Sequence, residues 1–304
     1  MNTVFYDADV DDVRRRQQLY DGALHVYSPT PSSVALCKFA QELADEAFSP
    51  HSPELAQEHL PVEEYVEILT QLKPKFIHHE RCKELIRGLL SDLGCNVDGT
   101  YFDVPRLRTM TSGNYLTAGL AYAFHPHRDT WFSAPPSQLN WWIPVYEIGP
   151  ENTIAFFPRY WNQPIANSSC DYNYYKWNQE SRRQAATQIK TDTRKQPQSL
   201  EPIDMDSQIR VVCKAGGIIL FSGAHLHATV PNTSGRTRFS IDFRTVHLDD
   251  VNHRRGAENI DSECTGTTLR DFLRARDSMR LADEIAKRYD TQPPVEGELI
   301  FSQT

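Results

Sequence analysis

Two short stretches of this chain carry side chains whose types and spacing suit metal chemistry. The first is Phe124-His125-Pro126-His127-Arg128-Asp129-Thr130-Trp131. On an extended strand residues i and i+2 point to one face, so His127 and Asp129 can aim together at an ion while Arg128 points away. An imidazole and a carboxylate so placed make two cis ligands, and one distant ligand completes a facial triad with open positions for other molecules. A His-x-Asp pair taken alone recurs by chance, and a surface pair explains it equally well. The second stretch starts at Gly216-Gly217, reads as a buried strand through Phe221 and opens into His225-Leu226-His227. A turn containing Pro231, Asn232, Ser234 and Gly235 then leads into an alternating strand that carries Arg236 and Arg238.

A hairpin between His227 and Arg238 can bring the guanidinium back beside the histidine. Arginine forks a carboxylate through two parallel hydrogen bonds, which lysine cannot do. A carboxylate clamp next to an open Fe(II) face suits 2-oxoglutarate, whose 2-oxo acid end chelates the metal and whose far carboxylate wants a cation. His125 stands four positions from Asp129 and would make a poorer chelate than His127. Between His225 and His227, which share a strand face, the residue types alone leave the choice open. Arg236 shares a face with Arg238, and Arg244 continues it as a structural or substrate-side charge. Arg106 and Arg108 alternate on an earlier strand and read as solvated or ion-paired. Trp131, Trp141 and Trp142 read as core, with Trp131 the candidate for a pocket wall. The remaining histidines read as surface or satisfied polar contacts.

Such a site needs rigid elements to hold it. Leu36, Phe39, Ala40, Leu43 and Ala47 fall on one helical face, begun by Pro31-Ser32-Ser33 and stopped at Ser49-Pro50. Further helices are expected over Val62–Leu72, ending before Pro74, and over Glu80–Leu93, stopping at Gly94. From Tyr101 the pattern changes to short strands separated by turn residues. They are Tyr101–Met110, Thr117–Phe124, Gln138–Tyr146, Thr153–Phe157, Gln208–Cys213, Gly217–Phe221 and Thr237–Val246. A polar segment between Pro158 and Ser207 is too long for an ordinary connection and reads as a lid or a disordered loop. An amphipathic helix is expected over Thr268–Tyr289. Helices followed by strands give an α+β chain.

Composition bounds the function. Hydrophobic residues at 39% and charged residues at 24% describe a soluble globular chain, and a net charge of −8 argues against non-specific nucleic-acid binding. No apolar run reaches the ~20 residues of a membrane span. The polar N-terminus has no signal-peptide core, which makes the cytoplasm the default location. The six cysteines lack any C-x-x-C spacing and read as free thiols.

The run from His127-Arg128-Asp129 through His227, Pro231-Asn232, Ser234-Gly235 and Arg238 resembles the phytanoyl-CoA dioxygenase-like branch of the Fe(II)/2-oxoglutarate oxygenases. The resemblance covers about Arg106 to Val246, including Gln138-Leu139-Asn140-Trp141-Trp142-Ile143-Pro144 and Phe156-Phe157-Pro158. It implies a double-stranded β-helix, or jelly roll, packed by N-terminal helices and a C-terminal helix. It further implies His127 and Asp129 as the paired ligands and His227, preferred to His225 by its spacing to Pro231-Asn232 and Arg238, as the distal ligand. Arg238 takes the clamp role, and Asn140 is a second candidate for a co-substrate contact. One domain is expected over residues 1–304: a mainly helical part (1–98), a jelly-roll core (99–248) with a lid-like insertion (158–207), and a helical C-terminal part (249–304). The implied activity is C–H hydroxylation with Fe(II), 2-oxoglutarate and O₂, on a small polar metabolite or natural-product intermediate, without nucleic acid or membrane partners. A CoA thioester would favour a basic patch, for which Arg182, Arg183, Lys190, Arg194 and Lys195 are candidates, although a solvated face explains them too. Two other readings stand beside this one. One is a cupin-like enzyme using His125, His127 and His227 without 2-oxoglutarate, and the other is a non-catalytic jelly-roll binding module.

Overall fold

The computed structural model describes residues 3–121 and 125–290. In chain order the strands are β1 (Val4–Tyr6), β2 (Leu24–Tyr27), β3 (Thr100–Phe102), β4 (Arg106–Met110), β5 (Leu139–Pro144) and β6 (Ile154–Phe156), followed by β7 (Ile209–Val211), β8 (Ile218–Ser222), β9 (His227–Thr229), β10 (Arg238–His247) and β11 (Leu273–Arg274). The helices are α1 (Asp12–Tyr20), α2 (Pro31–Phe48), α3 (Val62–Ile77), α4 (Glu80–Asp92), α5 (Tyr174–Glu180), α6 (Leu248–Asn252) and α7 (Asp283–Ala286). The result is a mixed α/β molecule with a sheet-rich core.

The large sheet runs β1-β2-β8-β5-β10-β3-β11, with β4 also on β10, and a small sheet runs β7-β6-β9. Among these strands of the described residues, β1 and β2 pair in parallel and the others antiparallel. Alternation along β10 gives the large sheet two distinct faces. Phe239, Ile241 and Phe243 enter a core with Leu36, Phe48, Tyr65 and Phe76 from the helices. Arg238, Asp242 and Arg244 point the other way and line a cavity. The small sheet packs Ile154 and Phe156 on Trp142, Ile219 and Phe221 of the large one.

The helix α2 begins as its sequence predicts. Thr30 and Ser33 cap each other reciprocally, Pro31 takes the first turn, and Leu36, Phe39, Ala40 and Leu43 are buried. Against expectation, α3 continues through Pro74. The missing Pro74 N–H is offset by burial of Phe76 and by the bond from His78 N to Pro74 O, 3.0 Å. α4 starts from His79, whose Nδ1 accepts Arg81 N at 3.1 Å, and Gly94 follows it at φ +68°.

Residues 1–98 are not purely helical. β2 pairs with β8 and β1 pairs with β2, so both belong to the large sheet, and β11 brings residues beyond 248 into it as well. The expected strand Tyr101–Met110 divides at Asp103–Pro105, where the Asp103 carboxylate receives the backbone and side chain of Arg244 and Pro105 offers no N–H. Of the expected strand Thr117–Phe124, residues 119–121 form a 3-10 turn and 122–124 lie outside the described residues. The helix expected over Thr268–Tyr289 does not form. A 3-10 turn at Thr268–Asp271 leads into β11, and Leu273 bridges back to Arg280 before the short α7. Leu269, Phe272 and Leu281 bury against Tyr101, Val246 and Val251, so tertiary contacts satisfy the apolar pattern without a helix. The segment 158–207 is built from 3-10 turns and α5. All six cysteines carry free thiols. Among the described residues no helix is long and apolar enough to cross a membrane.

Candidate metal centre

His127 and His227 meet across an isolated antiparallel bridge rather than within two regular strands. Each backbone N–H donates to the other's carbonyl at 3.0 Å, which brings the ring centroids to 4.3 Å. Nδ1 of His127 lies 2.8 Å from His125 O, and Nδ1 of His227 lies 2.9 Å from His225 O. A carbonyl oxygen only accepts, so each Nδ1 carries the proton and each Nε2 keeps a lone pair. Burial pushes the His227 imidazole down to about 3, which keeps it neutral.

Asp129 opens a 3-10 turn, Asp129–Phe132, and its N–H donates to Gly223 O at 2.8 Å. Gly223 sits close to the site, where a Cβ would lie 3.2 Å from Gln138 Nε2 and 3.4 Å from Asp129 Cβ. Asp129 Oδ1 lies 3.5 Å from His127 Nε2 and 3.8 Å from His227 Nε2. The three ligand atoms fall within 4.8 Å of one another, leaving room for an ion with bonds of about 2.1 Å. No second such group of histidine, cysteine or carboxylate side chains occurs among the described residues. Burial alone would raise the Asp129 carboxyl, but the His127 and His227 side chains beside it and the positive charge of Arg244 hold it well below the usual range.

The second carboxylate oxygen is held elsewhere. Asp129 Oδ2 accepts Asn140 Nδ2 and Gln138 Nε2, both at 2.9 Å, and Gln138 Nε2 also reaches Asn140 Oδ1 at 3.0 Å. Asn140 lines the cavity, yet its amide N–H is engaged by Asp129 rather than left for a co-substrate. Gln138 escaped the sequence reading, although it precedes Asn140 by one strand period and shares its face. Arg128 does point away from the trio. It is fully buried, pairs with Asp261 Oδ2 at 3.0 Å, and donates to the carbonyls of Ala224, Tyr160 and Gln163 at 2.6, 2.5 and 3.0 Å. Asp261 also accepts Trp131 Nε1 at 2.8 Å, and Trp131 packs with Phe157 and Leu226 in the core rather than in the cavity wall. Phe132 is the wall residue instead, with its ring 5.4 Å from His127.

The trio opens into a cavity of about 500 Å³ between the large sheet, α3 and the 158–207 segment. Arg238 lines it. Its Nη1 donates to Asn152 O at 3.2 Å, its guanidinium stands 5.4 Å over Trp142, and its buried Nε has no hydrogen-bond partner. No carboxylate lies within salt-bridge distance of Arg238 among the described residues, and burial pushes this guanidinium down to about 10. Arg236 is 59% exposed, lies 3.8 Å from Glu54 and takes no part in the cavity. Arg244 and Arg106 share Asp103, and Arg108 pairs with Asp242.

His125 is exposed and contributes its carbonyl, whereas His225 is buried with Nε2 3.0 Å from Gly22 O and its ring 4.9 Å from Trp161. Neither imidazole joins the trio. The candidates for a basic patch are dispersed among the described side chains. Arg182 and Arg194 line the cavity, Arg194 is closed onto Asp192, Lys190 bonds to backbone carbonyls of Asn114 and Tyr115, and Lys195 is exposed. The side chain of Arg183 lies outside the described residues.

The sequence matches the family model described as Phytanoyl-CoA dioxygenase (PhyH) over residues 20–240. No curated protein matches it. Among solved structures it is similar to EvdO2 from Micromonospora carbonacea var. aurantiaca complexed with 2-oxoglutarate, at 13% identity and TM-score 0.45 over 79% of this chain and 92% of that one. It is also similar to AviO1 from Streptomyces viridochromogenes Tue57, at 14% identity and TM-score 0.39 over 79% and 96% of the two chains. The epimerase SnoN from nogalamycin biosynthesis, in complex with Fe3+, alpha ketoglutarate and nogalamycin RO, is 11% identical with TM-score 0.40 over 78% and 85%.

Proposed function

The chain belongs to the phytanoyl-CoA dioxygenase family, and from that membership and the geometry of the trio we propose that it is a non-haem Fe(II), 2-oxoglutarate-dependent oxygenase. The observation that carries the reading is the donor set. Both imidazole Nδ1 protons are spent on backbone carbonyls, so two Nε2 lone pairs and Asp129 Oδ1 converge on one point. Two neutral imidazoles and one carboxylate are the ligands that non-haem iron takes when it keeps open positions. In this reading residues 1–304 form one domain around a jelly roll made by the two sheets, and the reaction is hydroxylation of a C–H bond in a small polar metabolite.

His127, Asp129 and His227 hold the metal, and Asn140 and Gln138 fix which carboxylate oxygen faces it. Arg238 receives the far carboxylate of 2-oxoglutarate, for which its unused donor and missing counter-ion leave a place. Trp142 supports that guanidinium from one side. Phe132 and Tyr172 wall the metal side of the cavity and exclude water. Bound iron with 2-oxoglutarate and O₂ supplies the oxidising power, and the protein decides which carbon is presented.

Anaerobic addition of Fe(II) and 2-oxoglutarate tests this directly. The native protein should give a visible metal-to-ligand charge-transfer band, and Asp129→Ala and His227→Ala should lose both the band and the iron. A native protein that binds iron but yields no band on addition of 2-oxoglutarate refutes the co-substrate. Native-like iron affinity in both alanine variants refutes the trio.

A further inference from the structure

The cavity holds more positive charge than the proposed co-substrate uses. Arg106 and Arg244 divide the single carboxylate of Asp103, with contacts of 3.0 and 2.6 Å. Arg182 adds a third guanidinium from the segment after α5. Its one hydrogen bond among the described residues is a long 3.4 Å contact from Nη1 to Asn178 Oδ1, and no carboxylate lies within salt-bridge distance. The nearby Asp271 carboxyl is buried and hydrogen-bonded by Tyr174, and it acts on Arg182 through space without a salt bridge. The half-buried guanidinium, with one long hydrogen bond, keeps donors for a ligand in the cavity.

A run of rings leads from the metal trio to α5, the helix that precedes this arginine. Phe132 lies 5.4 Å from His127, Tyr172 lies 5.4 Å from Phe132, and Trp177 lies 6.0 Å from Tyr172. Trp177 belongs to α5, and the chain leaves that helix directly into the turn that carries Arg182. All these side chains line the same cavity. A molecule lying along the rings would run from the trio past Arg194, whose guanidinium stands 5.4 Å over Trp177 and is paired with Asp192, towards the turn that carries Arg182.

We propose that the prime substrate is a compact carboxylic acid whose carboxylate is received by Arg182 and whose flat apolar body lies along Phe132, Tyr172 and Trp177. This rests on the oxygenase reading above for what happens at the other end. A single unshared guanidinium matches a monoanion with two oxygens, since its fork meets both at once. A phosphate ester carries more charge than this one free cation balances. Arg182 is then a specificity residue, and it stands on the insertion rather than on the sheet that carries Arg238.

The test uses the anaerobic native protein loaded with Fe(II) and saturating 2-oxoglutarate, so that Arg238 is occupied. Phenylacetate, its uncharged analogue phenylacetamide, and phenyl phosphate are titrated in by calorimetry. Phenylacetate should bind at least roughly 30-fold more tightly than the amide, the factor expected for a charge-paired hydrogen bond in a walled site. Arg182→Met should erase that preference while leaving the charge-transfer band and the affinity for 2-oxoglutarate as they were, and Arg182→Lys should restore part of it. Equal binding of acid and amide, a preference that survives in Arg182→Met, or no binding of either overturns the proposal. Preference for phenyl phosphate overturns the carboxylate assignment. If the native protein forms no band, the co-substrate reading fails, and the same acid–amide comparison on metal-free protein still decides the role of Arg182.

Discussion

Replacing Asp261 with asparagine isolates what holds the His127–Asp129 turn in place. Asp261 Oδ2 accepts Arg128 Nε at 3.0 Å and Ile165 N at 3.1 Å, while Oδ1 accepts Trp131 Nε1 at 2.8 Å. Both partners of the ion pair are almost wholly buried, at 2% and 4% side-chain exposure. Asparagine removes the charge and also sets its NH₂ against at least one of these donors. Breaking a buried pair by losing one partner costs about 3–5 kcal/mol. Urea unfolding of the metal-free protein should show that loss as a lower midpoint at unchanged slope. An apolar exchange of the pair, Arg128→Met with Asp261→Leu, should not recover the loss. Arg128 also satisfies the carbonyls of Ala224, Tyr160 and Gln163, and each buried acceptor left bare costs about 1–3 kcal/mol. An Asp261→Asn variant within about 0.5 kcal/mol of the native protein, the range of an ordinary surface substitution, would falsify the argument, and so would full recovery in the double variant.

Three more outcomes are expected. His25 is fully buried between Gln18 and Tyr27, and burial together with the charge of Arg15 pushes its imidazole down to about 4. Its folded value lies below the unfolded 6.5, so its contribution is intact above pH 6.5 and disappears as pH falls towards 4. The loss is about 3 kcal/mol, and His25→Gln should flatten it in urea midpoints taken at pH 7.5 and 4.5. Removing both amides with Gln138→Ala and Asn140→Ala frees Asp129 Oδ2 and should weaken Fe(II) binding about 10- to 100-fold, read by competition with a chelator. Arg238→Ala should raise the apparent KM for 2-oxoglutarate by roughly 30-fold or more, with lysine restoring only part, whereas exposed Arg236→Ala should leave it near native; the reverse ranking would move the clamp to Arg236.

What could be read from the sequence followed the range of the interactions that decide each feature. Local signals sufficed for α2, whose cap and apolar face lie within one helix, and for β5, β8 and β10, whose alternation or apolar run is continuous. β1 and β2 escaped because Val4–Tyr6 and Leu24–Tyr27 are too short to show a period, and only pairing with distant β8 makes them strands. The Thr268–Tyr289 pattern misled because its leucines and Phe272 find partners at Tyr101 and Val246. Within the site, His127 and Asp129 stood out by type and spacing, the family resemblance singled out His227 over His225 and gave Arg238 the clamp role, and all four line one cavity. Asp261 could not be picked out, since it acts on a residue 133 positions away, and Arg182 stood only as one of five basic-patch candidates, since its place in the cavity depends on which way the insertion folds.

The bridge between His127 and His227 has a consequence for how the centre would meet its ion. The two imidazoles keep their separation because two peptide groups exchange hydrogen bonds, so that distance is a ruler cut before any ion arrives. The carboxylate is held instead by two side-chain amides, which fix its orientation but yield more readily than the paired peptide groups of the bridge. A larger or smaller ion is therefore accommodated mainly at Asp129. Substituting ions of graded radius should shift the carboxylate stretching frequency while the histidine resonances report one unchanged spacing.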